Sequence, residues 1–178
     1  MFAIVLAALD RSGSVLPILC AMAVHELAHV VMMLACGGQV RRLTLRFADL
    51  QIAASGLGYR QELLSALAGP LVNLICGAAF CMQRPSFAAY SLMLGIYNLL
   101  PVWPLDGGRA LRCALLARLP ITQAEHISEI VSFAACAVLL LIGVFLTFFR
   151  KSGLWPLGTA AYLTVRLLML ARRTDAVQ

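Results

Sequence analysis

Charged residues are scarce in this chain of 178 residues: they make up 12% of it, whereas soluble domains average about 25%. The mean hydropathy is correspondingly high, at +0.90. This composition excludes an ordinary soluble protein and indicates one that lies in a bilayer. Since one crossing takes roughly 20 apolar residues, the length allows about five or six spans and no separate soluble domain. We therefore expect residues 1–178 to form a single integral-membrane domain.

Several other features are absent. The sequence has no C-x-x-C pair and no internal repeat, and its six cysteines lie mostly in or beside apolar segments, so we expect small buried side chains and no disulfides. The apolar residues 2–9 lack a basic start and a small-residue cleavage site, so we expect no signal-peptide processing. They are too few to cross a bilayer and form either an incomplete first span or an interfacial piece.

Long apolar segments predict an all-α polytopic membrane protein with five full transmembrane helices. The segments are residues 14–36, 63–81, 86 to about 105, 130–149 and 154–171. If the first runs from outside to inside, nine basic residues lie on the cytosolic side (four in 37–61, three in 106–129 and two in the C-terminal tail) and four lie outside. The net charge of +6 then reflects the positive-inside rule, and we expect no nucleic-acid partner.

The first of these segments contains A-V-H-E-L-A-H-V, which puts ionisable groups where lipid is expected. On a helix, His25 and His29 lie one turn apart on one face, and imidazoles at this spacing can share a metal ion. Glu26 lies beside them, as in the H-E-x-x-H motif of zinc hydrolases. A packed core histidine is the alternative. Because an ionisable group near the membrane centre costs about 2.5 to 3.5 kcal/mol, three of them within five residues favour a metal.

A catalytic zinc takes three protein ligands, and Asp106 is the best candidate for the third. It lies in N-L-L-P-V-W-P-L-D-G-G-R, where Pro101 and Pro104 prevent a regular helix. Irregular backbone at membrane depth is tolerated only where protein or a water-filled cavity surrounds it, so this break indicates a site. Gly107 and Gly108 allow unusual dihedrals and close approach, which suits a turn that directs the carboxylate inward. A structural proline kink, the alternative, leaves the aspartate unexplained.

A short strand pattern follows the first long segment. V-R-R-L-T-L-R-F alternates Leu43, Leu45 and Phe47 with polar residues, and Leu50 and Ile52 resume the alternation. We expect a small β-hairpin between the H-E-x-x-H helix and the next span. Its edge either pairs with an extended substrate by strand addition or is a structural element on the cytosolic surface.

Three motifs in this order, H-E-L-A-H, A-G-P-L-V-N and N-L-L-P-V-W-P-L-D-G-G, resemble those of the site-2 protease family of intramembrane zinc metalloproteases. They fall within residues 24–109, and their context is similar to the sporulation branch, the stage IV FB proteases that cut the pro-sequence of a sigma factor. The resemblance implies a six-span core, His25, His29 and Asp106 as ligands of one Zn2+ per chain, and Glu26 as the general base. A cytosolic CBS domain often follows in that branch, and we expect none here.

The resemblance also bears on two amides and on the protein's surroundings. It implies that Asn73 acts in the active site by donating a hydrogen bond to the developing oxyanion, with helix packing as the alternative. Asn98 is either a substrate contact or a helix-packing residue. The family further implies a bacterial cell membrane and a membrane-associated protein substrate, and we expect the active site toward the cytosol from the distribution of basic residues. Membrane proteins that inhibit the protease are possible partners.

Two functions therefore compete. One is an intramembrane zinc metalloprotease, for which the resemblance suggests a pro-sigma factor in sporulation as the substrate. The other is a metal-binding membrane protein without proteolytic activity, such as a pseudoprotease scaffold or a zinc transporter. Alternating-access transporters often contain sequence repeats, and their absence here favours the protease. We also expect a water path from the cytosolic side, flanked by an amphipathic helix over residues 109–118.

Overall fold

The computed structural model describes residues 13–46, 49–55, 57–148 and 155–175, which form six helices and one pair of strands. The helices are α1 (Val15–Ala35), α2 (Tyr59–Ala79), α3 (Pro85–Asn98), α4 (Asp106–Leu116), α5 (Ile121–Phe148) and α6 (Trp155–Asp175). The chain divides into two compact units, Met1–Leu99 and Leu100–Gln178. The apolar residues 2–9 lie outside the described part of the chain.

Three helices of the described residues, α1, α2 and α5, are long and apolar enough to cross a membrane. With 21 residues each, α1 and α2 reach about 32 Å, and the 28 residues of α5 reach about 42 Å, against a hydrocarbon thickness of roughly 30 Å. Large apolar side chains such as Leu16, Ile75 and Leu141 are exposed on these helices. Exposed apolar faces of this kind fit lipid, so the chain is an integral membrane protein.

The structure supports these three spans and not the five that the apolar segments predict. The third predicted span is only the 14-residue α3, about 21 Å long, which ends at Asn98 because Pro101 prevents the helix from continuing. The fifth predicted span corresponds to α6, which has four charged residues among 21 and is not one of the three helices that qualify as spans by length and composition. Conversely, α5 begins at Ile121, about two turns before the predicted apolar segment, so its first turns are polar.

The first unit combines α1, α2 and α3 with the two strands. The three helices pack against one another, and several buried positions are alanines, among them Ala21, Ala66 and Ala88. Small side chains allow helix backbones to approach closely, which is the usual basis of helix association in membranes. This close approach brings α2 against the histidine-bearing face of α1.

The strands β1 (Gln39–Arg46) and β2 (Asp49–Ser55) lie between α1 and α2 and pair in antiparallel fashion. Leu43 lies opposite Ile52, and Leu45 lies opposite Leu50. These pairs occupy the alternating positions of the sequence pattern, because residues two apart share one face of a strand. Phe47 lies outside the described residues.

The second unit contains α4, α5 and α6, in which α4 and α6 each pack against α5. A guanidinium links α4 to α5: Arg112 Nη2 donates to Glu125 Oε1 at 2.7 Å. The same guanidinium lies 5.9 Å from the ring centroid of Trp103, close enough for a cation–π contact. Arg112 therefore ties the segment before α4 and the start of α5 to α4 itself.

Candidate metal centre

Both histidines of the H-E-x-x-H motif lie on the buried face of α1. His25 is 5% exposed and His29 9%, whereas Leu27 between them is 61% exposed. The Nε2 atoms of the two imidazoles lie 3.1 Å apart, with the ring planes at 84° to each other. One helical turn thus brings two potential ligand nitrogens together, as the spacing of the motif predicts.

The ring of His29 is held by Ser65 of α2. Its Nδ1–H donates to the Ser65 carbonyl oxygen at 2.7 Å, and the Ser65 hydroxyl donates to the His29 carbonyl oxygen at 3.3 Å. Because a carbonyl oxygen can only accept, this bond puts the ring proton of a neutral His29 on Nδ1 and a lone pair on Nε2. Metal-binding histidines are typically oriented by an oxygen acceptor in this way.

The ring of His25 contacts Asn73, which also belongs to α2 and is fully buried. Asn73 Nδ2 and His25 Nδ1 lie 3.2 Å apart. The other amide atom, Oδ1, has no hydrogen-bond partner among the described residues. The residue predicted as an oxyanion donor therefore contacts the first histidine of the motif, on the side of the ring away from Nε2. Its part in catalysis stays a prediction.

Gly69 of α2 makes room for the ring of His29. A Cβ at this position would clash with Nε2 of His29 and lie 2.7 Å from Cε1, so no other residue fits without moving the ring. Asn73 lies one helical turn after Gly69, so both face α1. Gly69 lies in the motif A-G-P-L-V-N, but no local sequence pattern marks it as a site residue.

Asp106 lies in the second unit, at the first position of α4. Its side chain is 13% exposed, and Arg109 Nη1 lies 3.9 Å from its Oδ1. A carboxylate is favoured at this position by the positive end of the helix dipole. The predicted turn at Gly107 and Gly108 is wrong, since both residues belong to the first turn of α4.

The segment before Asp106 is fixed to α5 by one buried hydroxyl. Ser132 Oγ accepts the backbone N–H of Trp103 at 3.1 Å and donates to the carbonyl oxygen of Pro101 at 3.4 Å. Between these residues Val102 is fully buried, and a Cβ on Gly108 would lie 2.5 Å from its carbonyl carbon and oxygen. Gly108 is therefore needed for the close approach of this segment to α4, and not for a turn.

His25 and His29 of the first unit and Asp106 of the second unit each offer one atom that could bind a metal ion. Two nitrogens and one carboxylate oxygen are a ligand set found in catalytic zinc sites. The contact between the rings tests the fit. Since Nε2 of His29 carries a lone pair, either a proton on His25 or a cation must lie between nitrogens only 3.1 Å apart. The pair of imidazoles therefore fits zinc when the ring proton of His25 lies on Nδ1.

The remaining predicted site residues are placed as follows. Glu26 is partly buried on α1, next to His25. Asn98 Nδ2 donates to the Leu94 carbonyl oxygen of its own helix at 3.0 Å, so its amide stabilises the end of α3, and the substrate contact stays a prediction. Leu43 and Leu45 belong to β1, and with Phe47 outside the described residues their role in substrate binding also stays a prediction.

Several known proteins are similar to this chain. A sequence profile described as Peptidase family M50 matches residues 84–142, which include Asp106. Stage IV sporulation protein FB of Bacillus subtilis is 28% identical over 138 residues, which cover 70% of this chain and 47% of that protein. Zinc metalloprotease MJ0392 of Methanocaldococcus jannaschii is 26% identical over 133 residues, which cover 67% of this chain and 39% of that protein.

The fold has a counterpart among solved structures. The Site-2 Protease from Methanocaldococcus jannaschii matches with a TM-score of 0.66 at 20% sequence identity, and the match covers 94% of this chain and 83% of that chain. This likeness shows a shared fold. The chain spans less than half the length of the two curated relatives.

Proposed function

We propose that this chain, which resembles the site-2 proteases of peptidase family M50 in its motifs, its matched segment and its fold, is a zinc metalloprotease that cuts a membrane-associated protein. One observation carries the proposal. The buried imidazoles of His25 and His29 face each other through Nε2, and each ring is contacted at Nδ1 by a residue of α2. A pair packed only for helix association has no need of this arrangement.

In this proposal His25, His29 and Asp106 bind one Zn2+ per chain. Bound zinc supplies Lewis acidity, which polarises the scissile carbonyl and makes water a stronger acid. Glu26 accepts the proton of the attacking water and passes it to the leaving amine, as its place beside His25 allows. Asn73 contributes a hydrogen bond to the developing oxyanion.

The membrane arrangement is also part of the proposal. The helices α3 and α6 also lie within the bilayer, with α3 as a short segment that ends before the prolines that precede Asp106. If α3 and α6 both cross the bilayer, nine basic residues lie on the cytosolic side against four outside, which favours a site that faces the cytosol. An extended substrate pairs with the edge of the hairpin formed by β1 and β2, through Leu43, Leu45 and Phe47, which exposes its peptide bond to attack.

The similarity to Stage IV sporulation protein FB suggests a pro-sigma factor as the substrate, with Asn98 as a substrate contact. Inhibitory membrane proteins are further partners that this comparison suggests. A pro-sigma factor encoded in the same genome, co-expressed with the chain, is the substrate to try first.

The test replaces the general base and leaves the metal ligands in place. In Glu26→Gln, we expect cleavage of a co-expressed membrane-tethered substrate to fall by about 10²- to 10⁴-fold, because the amide cannot accept the water proton, while bound zinc stays at the wild-type level. His25→Ala is expected to lose both. The matched control is Glu129→Gln. Because Glu129 is exposed on α5, this variant should cut the substrate at the wild-type rate.

Unchanged cleavage in Glu26→Gln would remove this residue from the mechanism. Zinc bound by a wild-type protein that cuts no candidate substrate would favour the non-proteolytic scaffold. A wild-type protein that binds no zinc would contradict the proposed function as a whole.

A further inference from the structure

Asn73 faces His25 in a way that matters for which nitrogen of that ring can bind a metal. A neutral imidazole carries one proton, so the nitrogen that donates a hydrogen bond cannot also be a ligand. For His29 the question is settled by Ser65, whose carbonyl oxygen takes the Nδ1 proton. For His25 the partner is the side-chain amide of Asn73. A 180° flip of this amide exchanges its NH2 group and its oxygen, so it can present either a donor or an acceptor to the ring.

Two hydrogen-bond arrangements are compatible with the distances. In the first, Asn73 Nδ2–H donates to His25 Nδ1 across 3.2 Å, and the ring proton sits on Nε2, from which it donates to His29 Nε2 across 3.1 Å. This arrangement joins the two rings by a proton. It occupies Nε2 of His25 and leaves the buried amide oxygen without a partner among the described residues.

In the second arrangement the amide is turned, and Asn73 Oδ1 accepts the Nδ1–H of His25. Both histidines then donate through Nδ1 to an oxygen of α2, and both present a lone pair on Nε2. Two lone pairs at 3.1 Å repel unless a cation lies between them. Only this arrangement lets the two rings share a metal ion.

We propose that Asn73 is a positioning residue for His25: its amide oxygen accepts the Nδ1 proton and so selects the tautomer that binds zinc through Nε2. This inference rests on the proposed function in taking zinc as the ion. The residue type matters, because an amide can pair with either tautomer of His25, whereas an apolar side chain can pair with neither. Asn73 thereby does for His25 what the Ser65 carbonyl does for His29.

The burial of Asn73 supports a specific role. The side chain is fully buried, and its hydrogen-bond partner among the described residues is the His25 ring. A buried polar group without hydrogen-bond partners is destabilising, so this amide is not explained by helix packing alone. In the turned arrangement its NH2 group replaces the oxygen that has no partner, which leaves a donor for the oxyanion. The two roles of Asn73 are therefore compatible, and they can be separated by substitution.

The experiment compares Asn73→Asp with Asn73→Leu in the full chain, purified in detergent. An aspartate has the same size and still offers an oxygen to Nδ1–H, so zinc affinity, measured by competition with a chelator, should stay within about 3-fold of the wild type. The leucine offers no acceptor, and affinity should fall about 10- to 100-fold. Ser91→Ala is the control, because Ser91 is fully buried on α3 and its hydroxyl has no partner among the described residues.

A second readout follows the tautomer directly. With 15N-labelled histidine and zinc added, the wild type and Asn73→Asp should show His25 with its proton on Nδ1, and Asn73→Leu should lose this signal. The His29 signal should be the same in all three proteins, because Ser65 is unchanged. A change at His25 alone separates loss of positioning from general loss of structure.

Wild-type zinc affinity in Asn73→Leu would overturn the inference while leaving the proposed function intact. Loss of affinity in Asn73→Asp would overturn it as well, because the amide oxygen would then not be the group that matters. This second variant decides the question alone if the leucine variant does not fold. A wild-type protein without zinc, or zinc retained in His25→Ala, would instead contradict the proposed function.

Discussion

At the scale of single residues, the two histidines of α1 that we propose as zinc ligands are oriented by groups that come from α2. Ser65 supplies an acceptor for His29, Asn73 contacts His25, and Gly69 leaves the space that the His29 ring fills. The first two act through hydrogen bonds and the third through the absence of a side chain. Each can therefore be tested by a substitution that leaves the proposed ligands, His25 and His29, unchanged.

Replacing Gly69 with alanine should weaken zinc binding about 10- to 100-fold, because the methyl group would displace the His29 ring and its Nε2. Zinc affinity from chelator competition is the measurement. Gly158→Ala provides the control, since a Cβ on that helical glycine has no atom within 4 Å and alanine is the better helix former. Equal zinc affinity in the two variants would show that the ring has room to move.

The spacing of His25 and His29 was predictable, because one turn of helix determines which side chains share a face. Gly69 could not be identified in the same way. Its importance depends on α2 lying against α1, a contact between segments that no local pattern encodes. Gly107 and Gly108, in contrast, were assigned a conformation that they do not have. Their freedom to adopt unusual dihedrals suggested a turn, whereas both belong to the first turn of α4, and a glycine is needed at 108 for the close approach to Val102.

At the scale of elements, the segment between α3 and α4 is the part of the second unit that determines where Asp106 begins its helix. Two prolines interrupt the helix, as the sequence predicts, and Ser132 then holds the irregular backbone to α5 through two hydrogen bonds. Prolines explain why the segment is not helical, but they do not determine its path. That path depends on a serine almost thirty residues later in the chain, which is why sequence reasoning missed it.

Ser132→Ala should destabilise the protein by about 1 to 3 kcal/mol, because the Trp103 N–H and the Pro101 carbonyl lose their partner. Since Asp106 follows this segment directly, zinc affinity should also fall. The measurements are unfolding in a denaturing detergent and chelator competition.

Ser128→Ala is the matched control, as Ser128 is also buried on α5, one turn earlier, and holds no part of this segment in the described structure. If both serine variants behave alike, the hydroxyl of Ser132 is not what fixes the segment.

At the scale of the whole molecule, the amino-acid composition correctly predicted an integral membrane protein. The lengths of the apolar segments, however, overestimated the number of spans. Hydropathy measures only whether a segment can enter lipid, so it counted the residues after Asn98 as part of a third span. In the structure these residues form the irregular segment that leads to Asp106. The same apolar composition therefore serves both a lipid-facing helix and the protein around a polar site, and sequence periodicity does not distinguish the two.

The orientation of the molecule can be tested with two of its own thiols. If the site faces the cytosol, the exposed Cys81, in the connection after α2, lies on the outer side, and Cys36, at the end of α1, lies on the inner side. In intact cells a membrane-impermeant maleimide should therefore modify Cys81 and not Cys36, as measured by mass spectrometry of the labelled peptides. In permeabilised cells both Cys81 and Cys36 should be labelled. Cys81→Ser serves as the control for the assigned peptide, and labelling of Cys36 alone in intact cells would mean that the active site faces outward.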